Sequence, residues 1–224
     1  IKMNKPQVIL IIGGPGAGKG TIGKRLSETL KIKHLSSGDI FRKLIKQNSE
    51  VGRKIEECIN NGQLIPDELA MIIFERKLLD YNWEKGIILD GYPRTKKQAE
   101  HLDKLLRSLN YKVDFAINID VSKKLIIDRI VNRRICEDCG AIYNIKYGKL
   151  PEEGNVCSQC GGKVIKRADD NKKTVCDRLT TYSNVTEPLL DYYEAKGKLF
   201  NLHTNENTSV DEAVEKALNY INEN

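Results

Sequence analysis

Residues 7–21 read QVILIIGGPGAGKGT, and this stretch decides the fold. Residues 7–12 are almost wholly aliphatic and carry no charge, the pattern of a short strand buried on both faces. Glycines then end the strand abruptly, and from about residue 18 to residue 30 apolar side chains recur at helical spacing. A glycine-rich turn between a buried strand and a helix, with Lys19 closing a G-x-x-x-x-G-K pattern, is the context of a phosphate-binding loop. The glycines let successive backbone N–H groups turn inward around phosphate oxygens, the helix N-terminus adds partial positive charge, and the lysine reaches the terminal phosphates. The common pattern places Ser or Thr directly after the lysine. Here Gly20 intervenes and the hydroxyl is Thr21, a departure that points away from GTPase switches and motor ATPases.

Working outward, short apolar runs recur at residues 87–89, 113–119 and 199–202, each next to a helical stretch. Strands alternating with helices predict an α/β fold with a parallel sheet covered on both faces. The run at 113–119 alternates Val113, Phe115, Ile117 and Ile119 with Asp114, Ala116 and Asn118, which alone would argue for a half-exposed strand; it is nevertheless placed in the sheet. The strand at 87–89 ends on Asp90, the place for a carboxylate that holds Mg²⁺, directly or through water. Two stretches break the rhythm and read as insertions: residues 37–80, helical with a break at Asn61-Gly62 before Pro66, and residues 136–167, rich in glycine, charge and cysteine.

The 224 residues suit one domain with insertions or two small ones. No apolar run approaches the roughly 18 residues of a bilayer-spanning helix, so no membrane association is expected. A net charge of +6 is mild and suits polyanionic small ligands as well as nucleic acid. Of six cysteines, Cys58 and Cys176 stand alone, while Cys136, Cys139, Cys157 and Cys160 form two C-x-x-C pairs, each followed by glycine. That spacing predicts two knuckles closing on one tetrahedral ion, in a reducing compartment. Four thiolates leave no open position, so the ion is structural: zinc, with iron as the alternative. Zinc ribbons also grip nucleic acid, but this one has few aromatics, chiefly Tyr143 and Tyr147, among acidic Glu137, Asp138, Glu152 and Glu153, which disfavours such a partner. The expected compartment is the cytoplasm, with an organelle matrix as the alternative; residues 1–6 have no targeting pattern of their own.

Two phosphorylated nucleotides in one cleft need several converging arginines, for which Arg42, Arg94, Arg129, Arg133, Arg167 and Arg178 are the candidates. Arg129 and Arg133, four apart, are expected on one side of a single helix. The segments around them stand in a fixed order: GGPGAGKGT, SSGDIFR (36–42), DGYPRTKKQ (90–98), DRIVNRR (128–134) and RADD (167–170). Together they closely resemble adenylate kinase, from about residue 7 to the C-terminus.

The resemblance implies the P-loop nucleoside-monophosphate kinase fold, in the long-lid form with a four-cysteine lid. Its parts would be a core of residues 1–35, 67–133 and 172–224, a monophosphate-binding insertion at 36–66 and a lid at 134–171. It implies that Gly16, Ala17, Gly18, Lys19, Gly20 and Thr21 hold the ATP phosphates, with Arg129 near the ATP base and Ile142 and Tyr143 also binding ATP. Ser37, Arg42, Gln63, Leu64, Ile65, Gly91, Tyr92, Pro93, Arg94 and Gln98 would line the AMP site together with Arg167 and Arg178. Lys19, Asp90, Arg94, Arg133, Arg167 and Arg178 would serve the transfer itself, and Asp169 and Asp170 would hold lid arginines. Two departures stand out: Cys176 where relatives often carry a basic or polar residue, and no glycine in the late loop at 204–208. The implied reaction is reversible Mg²⁺-dependent transfer between ATP and AMP giving two ADP, by a monomer without nucleic-acid partner. Ser37 and Gln98 favour AMP over the uridine and cytidine monophosphates of similar kinases, while GTP remains an alternative donor. No general base is required, so His34, His101 and His203 are read as structural or surface residues.

Overall fold

Strand β1 (Val8–Gly13) is buried along its whole length, and its alternating side chains divide between two apolar clusters. Val8, Leu10 and Ile12 pack with Phe74, Leu102 and Leu189 on one face of the sheet, while Ile9 and Ile11 pack with Leu26, Ile126 and Ala217 on the other. Each such fully buried aliphatic side chain contributes about 1.5–3 kcal/mol, which is why an uncharged run settles at the centre. A computed structural model of the protein describes residues 7–147, 151 and 154–224. The start of the expected core, residues 1–6, and the part of the expected lid at 148–150 and 152–153, with Glu152 and Glu153, lie outside the described residues.

Around β1 lie β2 (Lys33–Ser36), β3 (Ile87–Asp90), β4 (Phe115–Asp120) and β8 (Leu199–His203), in the order β2-β3-β1-β4-β8, all parallel. Helices α1 (Lys19–Leu30), α5 (Lys96–Ser108), α6 (Lys123–Val131), α7 (Lys172–Thr181), α8 (Pro188–Glu194) and α9 (Val210–Glu223) belong to this layer. Because β1 has β3 on one side and β4 on the other, successive crossovers leave it in opposite directions. A crevice therefore opens at the carboxyl ends of the strands, where α/β sheets bind ligands. Register does the rest: Ile11 stands opposite Asp90, and Asp90 opposite Ser36. Three segments far apart in sequence thus end at one edge.

The first interruption is helical, as expected: α2 (Ser37–Lys46), α3 (Glu50–Asn60) and α4 (Asp67–Leu79). The second forms a small antiparallel sheet, β5 (Arg133–Cys136) between β6 (Ile142–Asn144) and β7 (Val164–Ile165). Its apolar centre is little more than Cys136, Tyr143, Cys157 and Val164. So small a cluster sets little against an ordering cost of about 1–2 kcal/mol per residue.

Strand β2 has no counterpart among the apolar runs; it is a four-residue edge strand of half-exposed side chains. Strand β4 begins at Phe115 and is buried up to Asp120, despite its polar alternation. The polar groups are satisfied internally: the Val8 N–H donates to Asp114 Oδ2 at 2.8 Å, and Asn118 Nδ2 donates to Asn201 Oδ1 at 2.9 Å. Among the described residues no helix is long and apolar enough to cross a membrane.

Candidate active site and cysteine cluster

The turn after β1 needs glycine for a steric reason. Gly16 has φ of 73°, and a Cβ there would come within 2.5 Å of Ile130 Cγ1. Lys19, at the start of α1, folds back so that its Nζ donates to the carbonyls of Gly13 at 2.9 Å and Gly14 at 2.7 Å. Dense protein packing around the ammonium pushes its pKa from 10.5 down to about 8; Asp90 opposes this, and Arg94, Arg133 and Arg178 add to it. Asp90 is itself buried, and its Oδ2 lies 3.2 Å from His34 Nε2. It also borders the first turn of α1, since a Cβ on Gly20 would stand 3.6 Å from Asp90 Oδ2. A carboxylate beside the loop and its lysine fits a magnesium site.

The arginines converge as the chemistry requires. Arg94 Nε donates to the Gly91 carbonyl at 2.8 Å and its Nη2 to Ser37 Oγ at 3.1 Å. Gly91, φ 73°, leaves room for this, because a Cβ would meet Ser37 Oγ at 2.5 Å. Arg133 Nε donates to the fully buried Asp170 Oδ2 at 2.8 Å, and Arg178 pairs with Asp169 at 2.6 Å while donating to the Ile59 carbonyl at 3.2 Å. Desolvation, then Arg133 and Arg42, push Arg167 down to about 10, against Asp170 and Asp169. It therefore stays charged at neutral pH. Its Nε is enclosed and has no hydrogen-bond partner among the described residues, an orphaned donor that a phosphate oxygen would satisfy. Arg42 turns toward Asp39 Oδ1 at 2.6 Å and stays half-exposed.

Beside Arg94 lies a slot lined by Phe41, Leu64, Ile65, Ala70, Gly91 and Tyr92, with Gln98 at its polar end. An apolar slot bearing one amide and one guanidinium is suited to a flat base carrying a phosphate. The Gln98 Oε1 accepts the Arg94 backbone N–H at 2.8 Å, and Nε2 donates to Asp67 Oδ1 at 2.7 Å. Thr95 caps α5 by accepting the Gln98 N–H at 3.1 Å and donates to the same Asp67 oxygen at 3.0 Å. Pro93 is buried between Tyr92 and Arg94, whereas Gln63 is exposed and outside the slot lining.

One expectation requires correction. Arg129 and Arg133 do not share a helix: α6 ends at Val131, Asn132 caps it, and Arg133 opens β5. The two diverge, Arg133 to Asp170 and Arg129 to the Asn205 carbonyl at 3.3 Å. The loop at 204–208 thus packs on Arg129, braced by Asn205 Oδ1, which accepts from the Asn207 N–H, the Thr208 N–H and Thr208 Oγ1, in place of a glycine turn. Ile142 and Tyr143, expected to bind ATP, stand side by side on β6. On β6 successive side chains face opposite ways, so Ile142 is exposed and Tyr143 is buried among the cysteines.

There the Tyr143 hydroxyl accepts the Ser158 N–H at 3.0 Å and lies 3.2 Å from Cys157 Sγ. The four sulfurs lie within 4.8 Å of one another, with Cys136 to Cys160 at 3.5 Å and Cys139 to Cys157 at 3.6 Å. Tetrahedral zinc with bonds of about 2.3 Å places its sulfurs about 3.8 Å apart. Each knuckle closes with the same turn, Gly140 N–H to Cys136 O at 3.1 Å and Gly161 N–H to Cys157 O at 2.8 Å, both glycines at φ 74°. The cluster is compatible with zinc. The Tyr143 hydrogen bond also lowers the Cys157 thiol, in the direction of the thiolate that a metal binds.

Sequence reasoning missed two neighbours of the site. His34, half-buried in β2 and paired in register with Ile88, reads as an ordinary strand residue; only the folded side chain brings its Nε2 within 3.2 Å of Asp90 Oδ2. Asp67 reads only as a helix N-terminal acid, and nothing in the sequence links it to Gln98.

A phosphate loop at the carboxyl edge of a parallel sheet, a carboxylate beside it, converging arginines and a separate base slot define a P-loop nucleoside-monophosphate kinase. The adenylate kinase family model matches residues 11–198. Adenylate kinase of Acetivibrio thermocellus is 45% identical over 213 residues, covering 95% of this chain and 97% of that protein. Adenylate kinase of Clostridium tetani is 45% identical over 215 residues, 96% and 99% of the two chains, and that of Archaeoglobus fulgidus 44% over 194 residues, 87% and 89%. The chain belongs to the adenylate kinase family, the ATP:AMP phosphotransferases.

Proposed function

We propose that the crevice transfers the terminal phosphoryl group of ATP to AMP as follows, and the reverse. The phosphate loop, residues 16–21 with Lys19, holds the donor phosphates, and Arg129 with the loop at 204–208 borders the donor base. Arg94 and Ser37 receive the AMP phosphate, with Arg42 swinging in from Asp39, while the base enters the slot that ends on Gln98. An AMP phosphate oxygen attacks the terminal phosphorus, the bond to the bridging oxygen breaks, and ADP leaves from either side. No proton need be moved, because a phosphate monoester with a second pKa of about 6 is already ionised at neutral pH. Catalysis is alignment together with charge stabilisation by Lys19, Arg94, Arg133, Arg167 and Arg178. Asp90 would hold Mg²⁺, which supplies charge neutralisation on the donor phosphates. The four cysteines would hold Zn²⁺, which orders the lid and takes no part in the chemistry.

In this reading the chain divides into a core (1–35, 67–133, 172–224), a monophosphate part (36–66) and a lid (134–171), and acts as a cytoplasmic monomer. The observation that carries it is the convergence on one crevice of Lys19, Arg94, Arg133 and Arg178, together with an enclosed Arg167 Nε that has no hydrogen-bond partner among the described residues, a charge set suited to a polyanion. Substituting Gln98→Ala tests the assignment of the two nucleotide sites. The kcat/KM for AMP should fall by about 10-fold, the equivalent of 1.4 kcal/mol for one buried hydrogen-bond partner, with the KM for ATP nearly constant. Equal losses for both nucleotides would show that the slot is not the AMP base site.

A further inference from the structure

The side-chain amide of Gln98 has two ends of nearly equal shape and opposite function, so turning it over exchanges donor for acceptor. Here both ends are held by groups whose roles cannot be exchanged. The Asp67 carboxylate, which only accepts, takes the Nε2 hydrogen at 2.7 Å, and the Arg94 backbone N–H, which only donates, meets Oε1 at 2.8 Å. The carboxylate is itself fixed by Thr95 Oγ1 at 3.0 Å. Turning the amide would set oxygen against carboxylate and N–H against N–H in a buried place, with two hydrogen bonds lost. We propose that Asp67 is a specificity-determining residue: by locking the Gln98 amide in one orientation it makes the monophosphate site accept adenine and reject 6-oxopurines. The proposal rests on the reading that Gln98 meets the base.

With one hydrogen and one lone pair engaged, Nε2 keeps one N–H and Oε1 keeps one acceptor position for a ligand. Adenine offers a donor at its 6-amino group and an acceptor at N1. Hypoxanthine and guanine offer the reverse, an acceptor at O6 and a donor at N1. A locked amide matches one of these edges and opposes the other, whereas an amide free to turn serves both. Leaving buried polar groups unpaired is the strongest means of rejecting an analogue of similar size. Asp67 also opens α4, where an acid favours the helix dipole. That role requires no contact with Gln98 and is indifferent to the base.

The test is the ratio of kcat/KM for AMP to that for IMP at saturating ATP, in the wild type and in Asp67→Asn, Gln98→Ala and Glu68→Gln. Asparagine keeps the shape of Asp67 but can accept or donate, so it removes the carboxylate's half of the lock and leaves the Arg94 N–H as the one group of fixed role. The expected result is a fall in the ratio of about 10-fold or more in Asp67→Asn, mainly through faster use of IMP, with the KM for ATP unmoved. Glu68→Gln, which removes another first-turn acid of α4, one that pairs with Lys97, should leave the ratio as it is. Should Asp67→Asn fold poorly, Asp67→Ala removes the same half of the lock and is read by the same ratio. An unchanged ratio in the Asp67 variants beside a lowered one in Gln98→Ala would overturn the lock while sparing the base site. An equal fall in Glu68→Gln would assign the effect to the helix terminus. A Gln98→Ala enzyme with unaltered AMP kinetics would overturn the reading beneath it.

Discussion

Lys19 is where burial, charge and function meet in one side chain. Its ammonium loses hydration in the crevice and faces three guanidiniums, with Asp90 and two carbonyls in compensation. The sign of the resulting pH dependence follows from a folded pKa of about 8 against 10.5 unfolded. Below about 8 both states carry the proton and the folded state bears the full cost of the buried charge. Between 8 and 10.5 the unfolded chain holds more proton, so this group adds stability as pH rises. Donor phosphates restore the charge, and ATP binding near pH 8.5 should therefore take up protons. Calorimetry in buffers of different ionisation enthalpy measures this uptake, and Lys19→Met should lose it together with about 10²-fold in turnover. Proton release on binding would contradict the assignment.

At the scale of elements, legibility followed whether a segment's role is local. The run 7–12 and its glycines declare a buried strand and a phosphate turn within a dozen residues, and the C-x-x-C pairs declare their cluster by spacing alone. Strand β2 stays hidden because an edge strand of four residues needs no apolar run. Arg133 was misplaced because a spacing of four reads as helix until Asn132 ends α6. Tyr143 went unrecognised as a partner of Cys157, and Asp67 as a partner of Gln98, because both contacts exist only once distant segments are folded. The lid shows what such contacts do: Arg133 pairs across β5–β6 with Asn144, the neighbour of Tyr143, whose hydroxyl meets Cys157. Ordering the cysteines thus orders the strand that begins with Arg133. Metal analysis of reduced protein should give one zinc per chain. Its removal, or Cys157→Ser, should lower the melting temperature by roughly 2–4 °C for each kcal/mol lost and reduce turnover, while ATP still binds the phosphate loop. Unchanged melting and turnover after complete metal removal would deny the ion its structural role.

Across the whole molecule, contacts tie the sheet layer and its two interruptions together. Arg178 of α7 reaches the Ile59 carbonyl at the end of α3, and Lys46 of α2 reaches the Glu137 carbonyl in the first cysteine knuckle at 3.4 Å. The sheet layer, the helical interruption and the cysteine-bearing sheet are thus linked by these two hydrogen bonds. The central claim is that this crevice joins a Mg²⁺-bound ATP to AMP and not merely to any monophosphate. A coupled assay of phosphoryl transfer from ATP, run across AMP, GMP, IMP, UMP and CMP under matched conditions, tests it most directly. The account predicts the highest kcat/KM for AMP, with ADP as the product from both substrates; a higher kcat/KM for UMP or CMP would contradict it.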